Sequence, residues 1–255
     1  FKAIKVAKTM GADAIKLQTY TPDTLTINSQ YKDFKINKGA WKGNTLYKLY
    51  KKAHTPFEWH HELFNYAKKQ RITCFSSVFD ESSVDLLEKL NTPAYKIASF
   101  EIIDINLLKY VAKTKKPIIL STGMANLNEI DEAIDVVKSN GCKELALLHC
   151  VSSYPTPYNE YNMSCIRDLI KRYNLVIGLS DHSLGITLPI TAVSLGASII
   201  EKHFTIDKKI KSPYSFFSIV PYELKLLVES TTKAWESIGS PNYEIKKSEK
   251  DSLKY

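Results

Sequence analysis

The sequence predicts an α/β fold of the TIM (β/α)8 barrel class, with the first strand lacking from the residues given. Three observations carry that expectation. Short apolar runs alternate with longer amphipathic segments along the chain, the pattern of parallel strands joined by crossover helices. No Gly-rich dinucleotide turn interrupts the alternation, which disfavours an open doubly wound sheet. The chain has 255 residues, and barrels of this class commonly hold about 250.

The first expected element is an amphipathic helix over residues 1–10, where Lys2, Lys5 and Lys8 lie between apolar positions. It lacks the apolar core and cleavage site of a signal peptide. A strand over 14–18 follows, then a long polar and aromatic insertion over 20–44, and insertions of that length in compact domains are often functional. Further strands are expected over 72–76, 94–97, 118–121, 145–149, 176–179 and 199–202. The remaining helices are expected over 55–69, 81–90, 106–114, 126–139, 163–173, 186–195 and 222–238. Asn126 and Glu129 have the spacing of a capping box, and Gly141 stands where that helix should stop. This gives seven strands and eight helices, beginning on a helix. An eight-stranded barrel needs one more strand, expected before Phe1. Residues 1–240 form the barrel in this reading, and 241–255, polar and lysine-rich, resemble the start of a linker. A barrel with a missing strand would leave two unpaired edges, so the chain alone is expected not to turn over.

Composition narrows the function. At 44% hydrophobic and 24% charged the chain is ordinary for a globular protein with a buried core. No apolar run reaches the roughly 18 residues of a membrane span. The formal net charge of +8 suits either a lysine-rich solvated surface or a small anionic substrate. No basic stripe interleaved with aromatics appears, so nucleic acid is not an expected partner. Cys74, Cys142, Cys150 and Cys165 form no CxxC pair and no zinc-type spacing, and a reducing cytoplasm is the simplest setting.

The most informative pattern is where polar residues fall, because a barrel carries its active site at the C-terminal ends of its strands. Period-two alternation puts Ala14, Lys16 and Gln18 on one side of the first strand. Lys16 is then either a solvated surface lysine or, since a parallel barrel sheet is covered on both faces, a buried cation needing an anion. Lys96 ends another strand, with Ser99 and Glu101 just beyond. Ser76 and Ser77 end a third, and Ser121 and Thr122 a fourth. Each serine alone also fits a turn or helix cap; two lysines with several hydroxyls at one rim suit a phosphate or carboxylate ligand. Gly178, Ser180 and His182 share one parity, as do Ile199, Glu201 and His203. Two inward histidines on neighbouring strands could share a divalent metal, or each could be a hydrogen-bonded core residue. His54, His60 and His61 sit around a helix start and are expected in solvent. His149 fits either the core or a place just behind the site. No Ser-His-Asp order, HExxH or phosphate loop occurs.

These segments resemble the sialic acid synthase family, whose members include N-acetylneuraminate, legionaminate and pseudaminate synthases. The resemblance is carried by Gly11-Ala-Asp-Ala-Ile-Lys-Leu-Gln-Thr-Tyr, Tyr95-Lys-Ile-Ala-Ser-Phe-Glu101, Ser121-Thr-Gly-Met124, Gly178-Leu-Ser-Asp-His-Ser183 and Glu201-Lys-His-Phe204, and it spans essentially the whole chain. Within the family the stretch from Tyr20 to Trp59 is similar to the pseudaminate branch, through Asp33-Phe-Lys-Ile, Trp41-Lys-Gly, Leu46-Tyr-Lys-Leu-Tyr50 and Thr55-Pro-Phe-Glu-Trp59.

The resemblance implies roles. Lys16, Ser77, Lys96, Ser99, Ser121, Ser152 and Ser180 would hold phosphoenolpyruvate. His182 and His203 would bind a divalent metal, usually Mn2+, with Mg2+ or Co2+ as alternatives. Gln18, Glu101 and Tyr154 would contact an acetamido hexose, and Glu101, His182 and His203 would be the catalytic groups. The implied reaction condenses phosphoenolpyruvate with the open-chain sugar and releases phosphate by C–O cleavage; the pseudaminate branch implies 2,4-diacetamido-2,4,6-trideoxy-altrose as acceptor. The family also implies a C-terminal antifreeze-like (SAF) domain, absent here, that covers the partner's site in a homodimer. Some features depart from the family. Tyr214 stands near where an Asp usually contacts the sugar, Val78 stands where Pro is usual, and some relatives carry Asn at the place of Ser152. Other readings remain: a neuraminate or legionaminate synthase, a phosphate-binding barrel aldolase, or a non-catalytic barrel remnant.

Overall fold

The computed structural model describes residues 1–255. Seven parallel strands form one sheet in sequence order: β1 (Ala14–Thr19), β2 (Thr73–Val78), β3 (Tyr95–Ile97), β4 (Ile118–Ser121), β5 (Leu145–Cys150), β6 (Val176–Asp181) and β7 (Ile199–Lys202). The helices are α1 (Lys2–Thr9), α2 (Pro22–Leu25), α3 (Leu46–Ala53), α4 (His60–Lys69), α5 (Glu81–Lys89), α6 (Ile105–Ala112), α7 (Leu127–Ser139), α8 (Cys165–Tyr173), α9 (Thr187–Ser194) and α10 (Pro221–Ile238). Every expected strand and helix is present. The helix expected over 55–69 opens as a 3-10 turn, Phe57–Trp59, before α4. The insertion is more ordered than a loop: it holds α2, and an antiparallel bridge from Lys35 to Thr45 leads out of it into α3. No helix is long and apolar enough to cross a membrane.

Local chemistry explains the boundaries. Asn126 and Glu129 form the expected reciprocal cap at the start of α7, each side chain meeting the other's backbone N–H. Asp80 caps α5 and Asp104 caps α6 through the backbone N–H groups of Ser83 and Leu107. Gly141, at φ +113°, turns the chain from α7 toward β5 in a conformation that L residues rarely adopt.

The outward face of the sheet and the helices enclose the main core of 27 buried residues, among them Tyr95, Ile97, Leu120, Leu147 and Leu179. The register keeps the inward set consistent around the sheet: Gln18 pairs with Ser77, Ser77 with Lys96, Cys150 with Ser180, and Ser180 with Glu201. β1 and β7 do not pair. The sheet nevertheless curls so far that Lys16 of β1 reaches Glu201 of β7, Nζ to Oε1, at 2.8 Å. Native twist, accumulated over seven strands, brings the two ends of the strand order face to face.

The expectation for three histidines needs revision at one position. His60 is fully buried, not solvated. Its Nε2 lies 2.7 Å from Thr19 Oγ1 and its Nδ1 3.0 Å from the Pro56 carbonyl, behind the sheet. His54 is half-buried and His61 exposed.

Candidate active site

The inward side chains at the C-terminal strand ends form one continuous polar surface. Lys96 is only 1% exposed, and its ammonium donates to the Ser121 hydroxyl at 2.6 Å and the Ile97 carbonyl at 2.8 Å. Burial pushes it down to about 8; Glu201 opposes the shift and Lys16 adds to it. Glu201 accepts from Lys16 at 2.8 Å and from the Ser180 hydroxyl at 2.9 Å. Burial alone would raise this carboxyl, but Lys16 and Lys96 outweigh it and hold it well below the usual carboxylate range. Two cations and one anion therefore share a site with a net positive charge. A ligand carrying phosphate or carboxylate would be attracted there, where low dielectric strengthens the interaction.

Hydroxyls ring this charged centre. The Ser99 hydroxyl accepts from the Gly123 N–H at 3.2 Å. A Cβ on Gly123 would stand 2.6 Å from Ser152 Oγ and 2.7 Å from Ser99 Oγ, so only glycine lets both hydroxyls approach the same backbone. Ser77 and Gln18 lie beside Lys96 in register. Ser76, named with Ser77 in the sequence, points the other way and meets Thr19 Oγ1 at 2.6 Å on the helix side.

Four buried side-chain polar atoms in the protein have no hydrogen-bond partner: Tyr20 Oη, Ser77 Oγ, Glu101 Oε2 and Ser152 Oγ. Three belong to residues the sequence selected for the site. Buried polar groups are almost always paired, so a cluster of unpaired ones marks where a ligand would supply the partners. Glu101 lies in the 3-10 turn Ser99–Ile103 just after β3. Burial pushes its carboxyl up to about 7, against the pull of Lys96. Near neutrality it is poised to hold or release a proton.

The two histidines lie side by side. The His182 and His203 rings lie with centroids 5.5 Å apart, and Tyr154 covers His182 at 4.3 Å. His182 Nδ1 is 2.9 Å from the Val151 carbonyl. A carbonyl can only accept, so Nδ1 carries a proton in that contact and Nε2 is the ring nitrogen left for a ligand. Burial pushes His203 down to about 3, reinforced by His182 and Lys16, so its imidazole is neutral. His149 faces the opposite side of the sheet, with Nε2 2.6 Å from the Tyr161 carbonyl, and is a core residue.

A buried framework stands directly behind the pair. Asp181 precedes His182, Lys202 precedes His203, and the two form an ion pair on the outward face, almost wholly excluded from solvent. Asp181 also accepts from the Tyr161 hydroxyl at 2.9 Å and the Ser183 N–H at 2.8 Å. The Tyr161 hydroxyl in turn accepts the His182 N–H at 2.6 Å. The ends of β6 and β7 are thus locked together next to the two imidazoles.

The structure brings all twelve sequence-selected residues to one end of the sheet. Sequence reasoning passed over three contributors. Glu201 was read for strand parity and not as the partner of Lys16. Cys150 shares the inward parity, with Sγ 3.8 Å from His182 Nδ1. An aromatic wall also encloses the histidines: Phe217 at 4.9 Å and Tyr214 at 5.3 Å from His203, with Trp41 beyond them at 6.3 Å from Tyr214 and 5.8 Å from Tyr154. The sequence hinted at it through the tryptophan's place in a long insertion and through Tyr154 and Tyr214, but not through Phe217.

Known proteins share the sequence and the fold of this chain. Residues 3–243 match the model of the NeuB family. The pseudaminic acid synthase of Campylobacter jejuni subsp. jejuni serotype O:2 is 45% identical over 244 residues, covering 96% of this chain and 71% of that enzyme. The pseudaminic acid synthase of Helicobacter pylori is 43% identical over 238 residues, covering 93% of this chain and 70% of that enzyme. Among solved structures, the N-acetylneuraminic acid (sialic acid) synthetase of Leptospira borgpetersenii serovar Hardjo-bovis, in complex with citrate, superposes with a TM-score of 0.87 at 33% identity. That alignment covers 100% of this chain and 84% of the other.

Proposed function

Because the chain belongs to the NeuB family, we propose that it is the barrel of a pseudaminic acid synthase, condensing phosphoenolpyruvate with 2,4-diacetamido-2,4,6-trideoxy-altrose and releasing phosphate. The observation that carries this reading is the cluster of unpaired buried polar atoms on Ser77, Glu101 and Ser152, set around Lys16 and Lys96. These groups want an anion on one side and a proton-exchanging acceptor on the other. The similarity to two named pseudaminic acid synthases supports the choice of sugar branch.

In this reading Lys16 and Lys96, with Ser77, Ser99, Ser121, Ser152 and Ser180, hold the phosphate and carboxylate of phosphoenolpyruvate so that its methylene carbon faces the acceptor's aldehyde. Glu201 keeps Lys16 in place until the substrate anion competes for it. The methylene carbon attacks the aldehyde, water adds at the carbon bearing phosphate, and the C–O bond to phosphate breaks. The water's oxygen becomes the keto oxygen, one of its protons ends on the former aldehyde oxygen and the other on the departing phosphate; Glu101 Oε2 relays the first of these, and Gln18 and Tyr154 orient the sugar. Positioning two substrates in one dry site accounts for a large part of such a rate enhancement.

The donor set fits a divalent cation, Mn2+ first with Mg2+ or Co2+ as alternatives. The His182 and His203 rings face each other, and no third His, Cys, Asp or Glu joins them anywhere in the chain. Water and the acceptor would complete the shell. Bound by His182 and His203, such an ion would act as a Lewis acid toward the aldehyde oxygen. The four free cysteines fit a cytoplasmic setting.

The test is phosphate release by the full-length protein with Mn2+ and phosphoenolpyruvate, comparing the diacetamido sugar with N-acetylmannosamine. Preference for the diacetamido sugar is expected; the opposite preference reassigns the branch. Mn2+ affinity, read by paramagnetic resonance, should collapse in His182→Ala and in His203→Ala, and unchanged affinity in both would remove the metal from the mechanism.

A further inference from the structure

The formal charge of +8 is not spread evenly along the chain. Residues 32–52, in the insertion and α3, hold seven lysines against one acidic residue, Asp33. Residues 207–211, in the loop after β7, hold three lysines against Asp207. The protein has 35 basic and 27 acidic side chains, so setting aside these ten lysines and two aspartates leaves 25 of each sign. Two short segments therefore carry the whole of the net charge. One follows β1 and the other follows β7, which puts both at the end of the sheet that holds the site.

The two segments are tied together. Trp41 donates its indole N–H to the Pro213 carbonyl at 2.9 Å, 172 positions away in the chain, and its ring packs on Phe216 at 6.1 Å. Beside this junction lies an open cleft of about 230 Å³. Lys48 and Lys52 of α3 and Lys211 of the loop after β7 line it, with Asn44 and Ser212 among them and no acidic residue. All three lysines are exposed, and none takes part in an ion pair. Lys48 and Lys52 stand one turn apart on α3, where like charges weaken the helix that bears them. A third lysine is brought to them from the far edge of the sheet. Such a grouping has no complement within the protein; its complement is an anion.

We propose that Lys48, Lys52 and Lys211 form a cationic vestibule that draws phosphoenolpyruvate from solution toward Lys16. The proposal rests on the synthase reading above and adds to it the route by which the anionic substrate arrives. A phosphate monoester bears about −1.5 to −2 near neutral pH, and the carboxylate adds a further negative charge, whereas the acetamido sugar is uncharged. Only one of the two substrates therefore feels the field. The cleft lies between the segments that follow β1 and β7, on the side of the sheet where Lys16 meets Glu201. Positive charge thus runs from the mouth inward to the place where the anion is held. A cleft lined by one sign of charge speeds the arrival of the opposite charge by about 10- to 1000-fold, and salt removes the gain.

The experiment uses the full-length enzyme with Mn2+ and saturating diacetamido sugar. Phosphate release is followed against phosphoenolpyruvate at ionic strengths from about 0.01 to about 0.15 M, over which the Debye length shrinks from about 30 to about 8 Å. The wild type should lose at least about tenfold in kcat/KM for phosphoenolpyruvate across that range. The triple variant Lys48→Gln, Lys52→Gln, Lys211→Gln should start about tenfold lower at low salt and lose much less as salt rises, the loss falling on KM and not on kcat. Arginine at the same three positions keeps the charge and should match the wild type. Lys69→Gln, Lys89→Gln and Lys138→Gln together remove the same charge from the ends of α4, α5 and α7, at the opposite face of the sheet, and should alter kcat/KM far less. Lys211→Gln alone, on a separate segment, should show an intermediate loss and keeps the test open if the triple variant is too unstable to assay. Equal salt dependence in the wild type and the vestibule variants, or an equal loss in the two triple glutamine variants, would overturn the vestibule, while phosphate release would still uphold the synthase reading. No phosphate release by the wild type would overturn both.

Discussion

Replacing Lys96 by Met should separate the stability of this protein from its anion binding. The ammonium is fully buried and pushed from the usual 10.5 down to about 8 by that burial. At about 1.4 kcal/mol per tenfold change, its charged form costs about 3 kcal/mol in the folded state. Against this stand two hydrogen bonds, to Ser121 Oγ and the Ile97 carbonyl, which together contribute a comparable amount. Lys96→Met fills nearly the same volume with no charge, so at pH 7 its stability should lie within about 1.5 kcal/mol of the wild type. The two should diverge with pH. A lysine depressed in the fold contributes stability that is present above its unfolded value and lost as pH falls through about 8. Between pH 7 and 9.5 the wild type should therefore gain about 2 kcal/mol relative to Lys96→Met. Urea unfolding followed by circular dichroism at the two pH values measures this, and calorimetry with phosphoenolpyruvate should show binding at least about tenfold weaker in the variant. A stability difference that does not move with pH, together with unchanged affinity, would refute both the buried charge and its role.

Three further outcomes follow from the same geometry. Glu101, raised to about 7, contributes stability that is full below about 4.5 and lost as pH rises through 7. Wild type should accordingly lose up to about 3 kcal/mol against Glu101→Gln between pH 4.5 and 8, and parallel urea curves across that range would contradict it. Glu201→Gln leaves Lys16 and Lys96 without their shared counter-ion and should cost about 2–4 kcal/mol; inorganic phosphate should raise its Tm more than that of the wild type, and an equal rise would argue against a shared anion site. In Gly178→Ala a Cβ would stand 2.4 Å from the Ile199 carbonyl and 2.6 Å from Leu148 Cδ2, so thermal melts should report a loss of about 1–3 kcal/mol; an unchanged Tm would mean that β6 and β7 are not packed as described.

Much of the site was legible because a parallel sheet obeys simple parity. Lys16, Lys96 and Ser180 each lie on the inward side of a short strand, His182 continues the parity of Ser180 one residue past β6, and period two in the sequence was enough to select them. The capping box at α7 was legible because both partners lie within one turn. What escaped depends on contacts between distant segments. His60 looked solvated from its polar neighbours, yet Thr19, 41 positions away, gives it a partner in the interior. Glu201 became the partner of Lys16 only once the sheet curled enough to bring its first and last strands together. The helix α3 was different. Leu46, Leu49, Tyr50 and Ala53 carry a helical period, and Thr45 caps it, so that signal was present but masked by the polar residues before it.

The ion pair between Asp181 and Lys202 constrains how this sequence can drift. Losing either partner alone strands the other's charge in the interior, a step of about 3–5 kcal/mol that a marginally stable domain rarely survives. Two codons separated by 20 intervening residues must then change together or stay fixed, and each immediately precedes a histidine codon. A saturation library would show near-lethal single changes at 181 and 202 and viable double replacements by apolar pairs, a strong epistasis confined to these two columns. The neighbouring imidazoles would be carried along by that linkage, held in the lineage by the cost of altering the pair behind them as well as by their own chemistry.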